Sequence, residues 1–106
     1  MKKYKIRYSE SFISDLSQIV RLIEMQSQSK EIARKFYLRT FDAIQRRRFG
    51  ANCYEKFSPF KESEEYYRIY FGKYTIFYVI DKEYMDIRRM LFSRQNTETV
   101  MEKTEH

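Results

Sequence analysis

Arginines interrupt the most apolar part of the sequence, the segment RIYFGKYTIFYVIDKEYMDIRRMLFSRQN of residues 68–96. Arginine binds phosphate and carboxylate groups through paired hydrogen bonds, and it also stacks on aromatic rings. Because this segment is rich in tyrosine and phenylalanine, a surface that combined both residue types would suit RNA or an acidic peptide. An ordinary solvated sheet face with scattered arginines would give the same pattern, so the sequence leaves both interpretations open.

A two-residue turn at Gly72-Lys73 predicts which side chains share a face, since side chains alternate along each strand. One face would be apolar enough to receive helices, and it would hold Tyr67, Ile69, Phe71, Tyr74, Ile76, Tyr78 and Ile80. The opposite face, which we call the distal face, would hold Tyr66, Arg68, Tyr70, Thr75, Phe77 and Val79.

The last strand continues this assignment. We expect Ile87 and Leu91 on the helix side of the sheet, and Arg89 pointing toward the helices to form an ion pair near the sheet edge. The residues between them would join the distal face: Asp86, Arg88 and Met90.

A second turn at Lys82-Glu83 would place Arg68, Phe77 and Arg88 in one row across the sheet. Arg94 has the same parity as Arg88 and follows just past the strand end. The predicted binding surface therefore consists of cations and exposed aromatic rings: Tyr66, Arg68, Tyr70, Phe77, Arg88 and Arg94.

The N-terminal half must supply the layer that covers the apolar face. Residues 3–8 alternate as in a half-buried strand, and Ser9 is a predicted N-cap for a helix over residues 10–25. Ser29 is a second predicted cap, for a helix that ends around Arg48. Two helices this close in sequence are expected to form an antiparallel hairpin.

The C-terminal half is predicted to be a three-stranded antiparallel meander over residues 66–71, 74–80 and 84–92. Before it, residues 50–65 form the one long irregular stretch, with a short strand at 54–57. The tail of residues 96–106 is expected to be a short helix or to fray. The fold class is thus α+β, with a strand, a helical hairpin and a meander in one domain of residues 1–106.

Composition limits the partners. The chain has 106 residues, 42% of them hydrophobic, and a formal charge of +6, with a pI near 9.4. Such a charge favours nucleic acid, the ribosome or an acidic protein as partner, or reflects solubility alone. We expect a cytoplasmic protein that needs no cofactor, metal, membrane or small-molecule substrate, since Cys53 is the single cysteine and neither a signal peptide nor a membrane-spanning run is visible.

Two charged runs have a structural and a functional interpretation. The run Arg46–Arg48 suits the last turn of a helix, where cations complement the helix dipole, and it is more often a solvated helix end than a nucleic-acid contact. The acidic run KESEE of residues 61–65 is predicted to be a solvated loop that could also screen the basic face.

The order of elements resembles the RelE/ParE superfamily of bacterial type II toxins. The resemblance is strongest in YRIYFGKYTIFYVID (residues 67–81) and IRRMLFSRQN (residues 87–96), and Asp15-Leu16 in the first helix also fits. It implies a small basic toxin that is held inactive by a cognate antitoxin encoded beside it, acidic and partly disordered. RelE-like members cut mRNA in the ribosomal A site, whereas ParE-like members inhibit DNA gyrase.

Matching positions bear on which branch is closer. Arg68 stands where RelE-like members carry a catalytic lysine and Arg94 where they carry an arginine, while Tyr70 replaces a second basic residue. Thr75 stands in the place of another arginine. The C-terminal aromatic or histidine is missing, since Thr99 and Val100 lie near that place and the only histidine is His106.

The resemblance therefore favours the ParE-like branch and inhibition of DNA gyrase by binding. Two positions depart from that pattern, because Phe92 stands where histidine is common and Asn96 where aspartate is common. The alternative is a ribosome-dependent mRNA endonuclease in which Arg68 and Arg94 stabilise phosphate charge and Tyr70 acts as an acid or orienting group. A third interpretation is a degenerate relative without toxicity.

Overall fold

The computed structural model describes residues 1–105. His106, the only histidine in the sequence, lies outside the described residues. The architecture is α+β, as predicted, with two helices on one face of a sheet. The elements in chain order are β1 (Lys5–Tyr8), α1 (Glu10–Ser27), α2 (Lys30–Arg47), a 3-10 turn (Ala51–Cys53), β2 (Lys56–Phe57), β3 (Tyr66–Phe71), β4 (Tyr74–Asp81), β5 (Tyr84–Phe92) and α3 (Thr97–Glu105).

All five strands belong to one sheet in the order β1-β5-β4-β3-β2. The meander pairs antiparallel, whereas β1 pairs parallel with the first half of β5, from Lys5 opposite Tyr84 to Tyr8 opposite Ile87. The two helices between β1 and the meander provide the long connection that such a parallel pairing requires. No helix among residues 1–105 has both the length and the apolar character needed to cross a membrane.

Serine caps start both long helices. The Ser9 hydroxyl accepts a hydrogen bond from the Phe12 amide at 3.0 Å, and the Ser29 hydroxyl accepts one from the Ile32 amide at 3.1 Å. Each bond satisfies one amide of the first helical turn that has no partner within the helix. Both predicted caps are confirmed, and α1 extends two residues beyond the predicted end at residue 25.

The main core lies between the helical hairpin and the sheet. It contains the whole predicted apolar face, joined by apolar residues from β1, α1 and α2. Phe12 and Leu16 of α1 and Ile44 of α2 are buried against this face. The helix-facing register of β3 and β4 is therefore confirmed.

Tyr78 places a hydroxyl within this core. The hydroxyl donates to the Ala51 carbonyl oxygen at 2.7 Å and accepts a hydrogen bond from Arg47 Nη1 at 3.2 Å. The same Arg47 nitrogen donates to the Arg68 carbonyl oxygen at 2.9 Å, so the network joins α2, the 3-10 turn and β3. Burial raises the pKa of Tyr78 to about 12, and hydrogen bonding to Arg47 opposes this rise.

Among residues 1–105, two residues other than glycine have a left-handed backbone. Gln28, which ends α1, has a φ of 55°, and Lys82, in the turn between β4 and β5, has a φ of 57°. L-residues pay for this conformation through contact between Cβ and the backbone, at a cost of roughly 1 kcal/mol. Glycine is the usual residue at such a helix end.

Gln28→Gly should therefore raise the free energy of unfolding by about 0.5–1 kcal/mol, because glycine adopts this φ without strain. Urea denaturation measures the change. The matched control is Gln18→Gly in the middle of α1, where the same substitution should lower stability by about 1 kcal/mol. Equal destabilisation by both variants would show that the end of α1 is not strained.

Tyr78 also predicts how stability depends on pH. The unfolded chain releases this proton near pH 10, but the folded chain holds it to about pH 12. The contribution of the protonated Tyr78 hydroxyl to the free energy of unfolding is therefore present below pH 10. It is lost as the pH rises from 10 to 12, because the unfolded state binds fewer protons than the folded state in this range.

Tyr78→Phe should remove this part of the pH dependence. Its destabilisation relative to wild type should shrink by about 2 kcal/mol between pH 9 and pH 12, measured by urea denaturation. Ile76→Val weakens the same core without removing a titratable group, so its destabilisation should not change with pH. A constant difference between wild type and Tyr78→Phe would contradict the prediction.

Candidate functional site on the distal face

The register of the distal face is correct for β3 and β4 but not for the end of β5. Arg68 lies opposite Phe77 and Tyr70 opposite Thr75, as predicted. The turn at Lys82-Glu83 is also present, since Asp81 pairs with Tyr84. A β-bulge then interrupts the ladder between β4 and β5.

The bulge inserts one extra residue into β5. Tyr78 pairs with Ile87, but Phe77 pairs with Arg89, so Arg88 is the additional residue. The predicted row of Arg68, Phe77 and Arg88 is therefore wrong. An extra residue also reverses the alternation of side chains beyond it.

Two assignments in β5 change for this reason. Met90 belongs to the main core on the helix side, whereas Leu91 is buried on the distal face. Both had been predicted on the opposite faces. Ile87 lies before the extra residue and keeps its predicted position in the main core.

A second apolar cluster covers part of the distal face. We call it the distal cluster, and its buried members are Tyr66, Phe77, Val79, Leu91 and Met101. Tyr66 is 0% and Phe77 1% exposed. The prediction that these two rings are exposed is therefore wrong, because the tail forms α3 and Met101 of α3 packs on them.

Polar contacts hold α3 against the sheet. The Tyr66 hydroxyl donates to Glu105 Oε2 at 2.8 Å, and Glu105 Oε1 accepts from the Glu64 amide at 3.3 Å. Arg89 Nη1 donates to the Thr104 hydroxyl at 2.6 Å. Burial, followed by the hydrogen bond to Glu105, raises the pKa of the Tyr66 hydroxyl well above its usual range.

Arg88 does not present a free charge. Its Nη1 lies 2.6 Å from Glu64 Oε2, and its Nη2 lies 4.0 Å from Asp86 Oδ2. Glu64 belongs to the acidic run 61–65, which screens a distal-face cation as the sequence had suggested. Arg89 pairs with Asp15 of α1 on the helix side, so the predicted ion pair near the sheet edge is confirmed.

Of the remaining predicted residues, Tyr70 and Arg94 are exposed, whereas Arg68 is partly buried. Tyr70 is 69% exposed, and the carbon centre of the Arg68 guanidinium lies 5.8 Å from its ring centroid. The same guanidinium lies 4.2 Å from the ring centroid of Phe57, and Arg68 Nη2 is 3.7 Å from Glu55 Oε1. Arg94 is exposed and forms neither a hydrogen bond nor an ion pair with any of residues 1–105.

Tyr70 lies near the end of β3 that adjoins the Gly72-Lys73 turn, whereas Arg68 lies opposite Phe77, farther from the turn. Arg94 had been predicted on the distal face because it shares the parity of Arg88, and that reason no longer holds, because the bulge reverses the alternation beyond Arg88. Next to Tyr70, the Thr75 hydroxyl is buried and shares a hydrogen bond of 2.9 Å with Ser93. Ser93 precedes Arg94, and its amide donates to the Lys73 carbonyl oxygen at 2.9 Å.

The arrangement combines a guanidinium with two aromatic rings, which suits an anionic group, a planar group or both. The contributions of Phe57 and Glu55 were missed by sequence reasoning. The predicted short strand at 54–57 was the available signal, although the structure has a strand only at Lys56–Phe57. Its pairing places Phe57 opposite Tyr66, and Glu55 directly precedes the paired residues. Among residues 1–105, no group of three or more His, Cys, Asp or Glu side chains could hold a metal ion.

The position of α3 can be tested through Met101. Met101→Ala should lower the free energy of unfolding by about 2–4 kcal/mol, because it leaves a cavity beneath α3. Denaturant titration measures this loss. Glu102→Ala removes an exposed side chain from the same helix and should change stability by less than about 0.5 kcal/mol. Equal stability of the two variants would show that α3 does not cover the distal cluster.

Comparisons with known proteins do not assign the chain to a family. No family model matches the chain, and no curated protein sequence matches it.

Proposed function

We propose that this chain is the toxin of a type II toxin-antitoxin system, that it is ParE-like and arrests growth by binding DNA gyrase, and that a cognate antitoxin neutralises it. One observation carries the proposal. The two segments that resemble the RelE/ParE superfamily form the β3-β4 hairpin and β5 with its following turn, and α1 and α2 pack on one face of these strands. This is the arrangement that the resemblance implies.

The surroundings of Arg68 and Thr75 favour binding over catalysis. An RNA-cleaving site must take a proton from the 2′-OH and give one to the leaving 5′ oxygen. Arginine cannot exchange protons in this way, because its guanidinium stays protonated in proteins. Thr75 replaces an arginine of the nuclease members and is engaged with Ser93, so the proton transfers would fall to Tyr70 and to Glu55, whose Oε1 lies 3.7 Å from Arg68 Nη2.

The contact surface for gyrase or for the antitoxin is revised accordingly. Tyr66 and Phe77 are buried under α3 and Arg88 is paired with Glu64, so they contribute to contacts only if α3 moves away. Tyr70 and the unpaired Arg94 are the exposed residues of this set, and Arg68 is partly buried and paired with Glu55. An acidic antitoxin segment would meet positive charge at Arg94, which promotes association more than it adds affinity.

Expression of the chain without an antitoxin should arrest growth, and the purified protein should inhibit supercoiling by DNA gyrase at micromolar concentration. Tyr70→Ala combined with Arg94→Ala should weaken inhibition by about tenfold or more, equivalent to about 1.4 kcal/mol. The control is Arg21→Ala, which removes an exposed cation from α1 and should inhibit like wild type.

Primer extension on translated mRNA tests the alternative in parallel. Codon-linked cuts that disappear in Arg94→Ala, with gyrase unaffected, would replace the gyrase proposal by a ribosome-dependent endonuclease. The exposed Tyr70 is the observation that favours this second function. Normal growth after expression would overturn both and indicate a relative without toxicity.

A further inference from the structure

We propose that the solvent-facing side of α2 binds the phosphate backbone of a nucleic acid. The positive charge of the protein is concentrated in this helix, which carries six Lys and Arg residues against two carboxylates. The adjacent α1 has one arginine against three carboxylates. Clustering of cations along one helix of a basic protein is the electrostatic signature of nucleic-acid binding.

The sheet does not share this property. Every Lys or Arg in the five strands has a carboxylate oxygen within 4.0 Å: Lys5, Arg7, Lys56, Arg68, Arg88 and Arg89. Their charges are therefore compensated locally, and the excess of positive charge lies elsewhere.

The cations of α2 differ in their partners. Arg47 donates to the Arg68 carbonyl oxygen, and its guanidinium carbon lies 3.6 Å from the ring centroid of Tyr54, so it serves the fold. Lys35 Nζ lies 3.3 Å from Glu31 Oε1, so its charge is compensated like those of the strands. In contrast, Arg34, Arg39 and Arg46 are exposed and form no hydrogen bond or ion pair with any of residues 1–105.

The three arginines of the run Arg46–Arg48 also differ in whether they bond to other parts of the protein. Arg48 donates to the Tyr4 carbonyl oxygen at 2.9 Å, and Arg47 is anchored as described. Only Arg46 is left for a partner, so the run as a whole is neither a free solvated end nor a contact patch.

Helix geometry aligns three of the cations. At about 100° per residue, Lys35, Arg39 and Arg46 lie within roughly 40° of one another around the helix axis, and they span about 16 Å along it. We call them the α2 stripe. The backbone of one nucleic-acid strand presents about five phosphates over this length, so several lie within reach of the stripe.

The stripe suits a nucleic acid better than an acidic protein. Protein interfaces concentrate their energy in apolar and aromatic anchors at the centre of the contact. Here the side between Lys35 and Arg46 presents Asp42 among the cations, and the exposed Leu38 lies about 60° from Lys35 around the helix axis. The exposed Ile32 lies beyond one end. One aliphatic side chain beside three cations is a small anchor, and the point charges match the phosphate contacts that hold nucleic acids without reading their sequence.

Fluorescence anisotropy of the full chain tests this directly, with a labelled 20-base-pair DNA duplex and a labelled single-stranded RNA of 20 nucleotides as probes. The two probes share the phosphate chemistry and distinguish its source. No gyrase is present in this assay, so a lack of nucleic-acid binding would leave the proposed toxin function unaffected. Equally, a lack of gyrase inhibition would leave the proposed nucleic-acid binding unaffected.

Wild type should bind at least one probe at 50 mM salt and lose most of that affinity at 200 mM. Arg39→Gln combined with Arg46→Gln should weaken binding about tenfold or more and reduce the salt slope by about 1.4–1.8, since each phosphate contact contributes about 0.7–0.9. Asp42→Asn should strengthen binding about twofold or more, because it removes the carboxylate beside the stripe.

The matched control is Lys5→Gln combined with Lys56→Gln, which removes the same charge from positions paired with Glu83 and Glu65. It should retain binding within about twofold. The proposal is overturned if wild type binds neither probe at 50 mM salt, if the stripe variant binds like wild type, or if the control loses as much affinity as the stripe variant. Thermal melting of each variant verifies that it is folded.

Discussion

The ion pair between Asp15 and Arg89 holds three elements of the structure together. Arg89 Nε and Nη2 donate to the two Asp15 oxygens at 2.7 and 2.8 Å, and Asp15 Oδ2 also accepts from the Met90 amide at 3.0 Å. Since Arg89 Nη1 donates to Thr104, the same guanidinium contacts α1 on the helix side and α3 on the distal side. Removal of one partner from a poorly solvated pair leaves an uncompensated charge, which makes each partner depend on the other.

A β-bulge lies beside this ion pair. Regular alternation already turns Arg88 to the distal face, where it meets Glu64, and Arg89 to the helix side. The extra residue changes the faces of the residues that follow, so that Met90 enters the main core and Leu91 the distal cluster. Bulges redirect side chains in this way at the cost of local pairing.

The edge of β5 is protected from other chains. β1 pairs with β5 only as far as Ile87, so the second half of β5 would otherwise present unpaired amides. The Met90 amide donates to Asp15 instead, and the Phe92 amide donates to Gln95 Oε1 at 2.9 Å. Exposed strand edges invite pairing with a further strand, and side-chain acceptors at both amides make β5 a poor template for it.

Much of the fold follows from local signals in the sequence. Period-two alternation and the Gly72 turn identify the helix face of β3 and β4, and Ser9 and Ser29 identify the helix starts, because each signal acts within a few residues. The bulge leaves no such signal, since Arg88 and Arg89 are both polar and the register on either side looks regular. The parallel position of β1 depends on contacts distant in the chain.

The candidate site was less predictable because burial is a property of the whole molecule. Tyr66 and Phe77 stand on the predicted face, but their exposure depends on whether the tail folds back over them. Within α3, Met101 is the one buried residue, so the apolar pattern of the tail is too sparse to predict its packing. Tyr70 stays exposed near the Gly72 turn, and Arg94 stays exposed beyond the end of β5, whereas Arg68 is partly buried.

The distribution of charge follows from this two-sided packing. Both faces of the sheet carry buried clusters, so the partly buried strand cations Arg68, Arg88 and Arg89 lose part of their hydration and are stabilised by a carboxylate close by. The solvent-facing side of α2 imposes no such need, and its arginines are exposed without partners among residues 1–105. Paired charges cancel beyond a few ångströms, whereas unpaired ones act over about 10 Å at moderate salt. The field that a distant polyanion meets first therefore comes from α2, although the arginines that are most conspicuous in the sequence lie in the sheet.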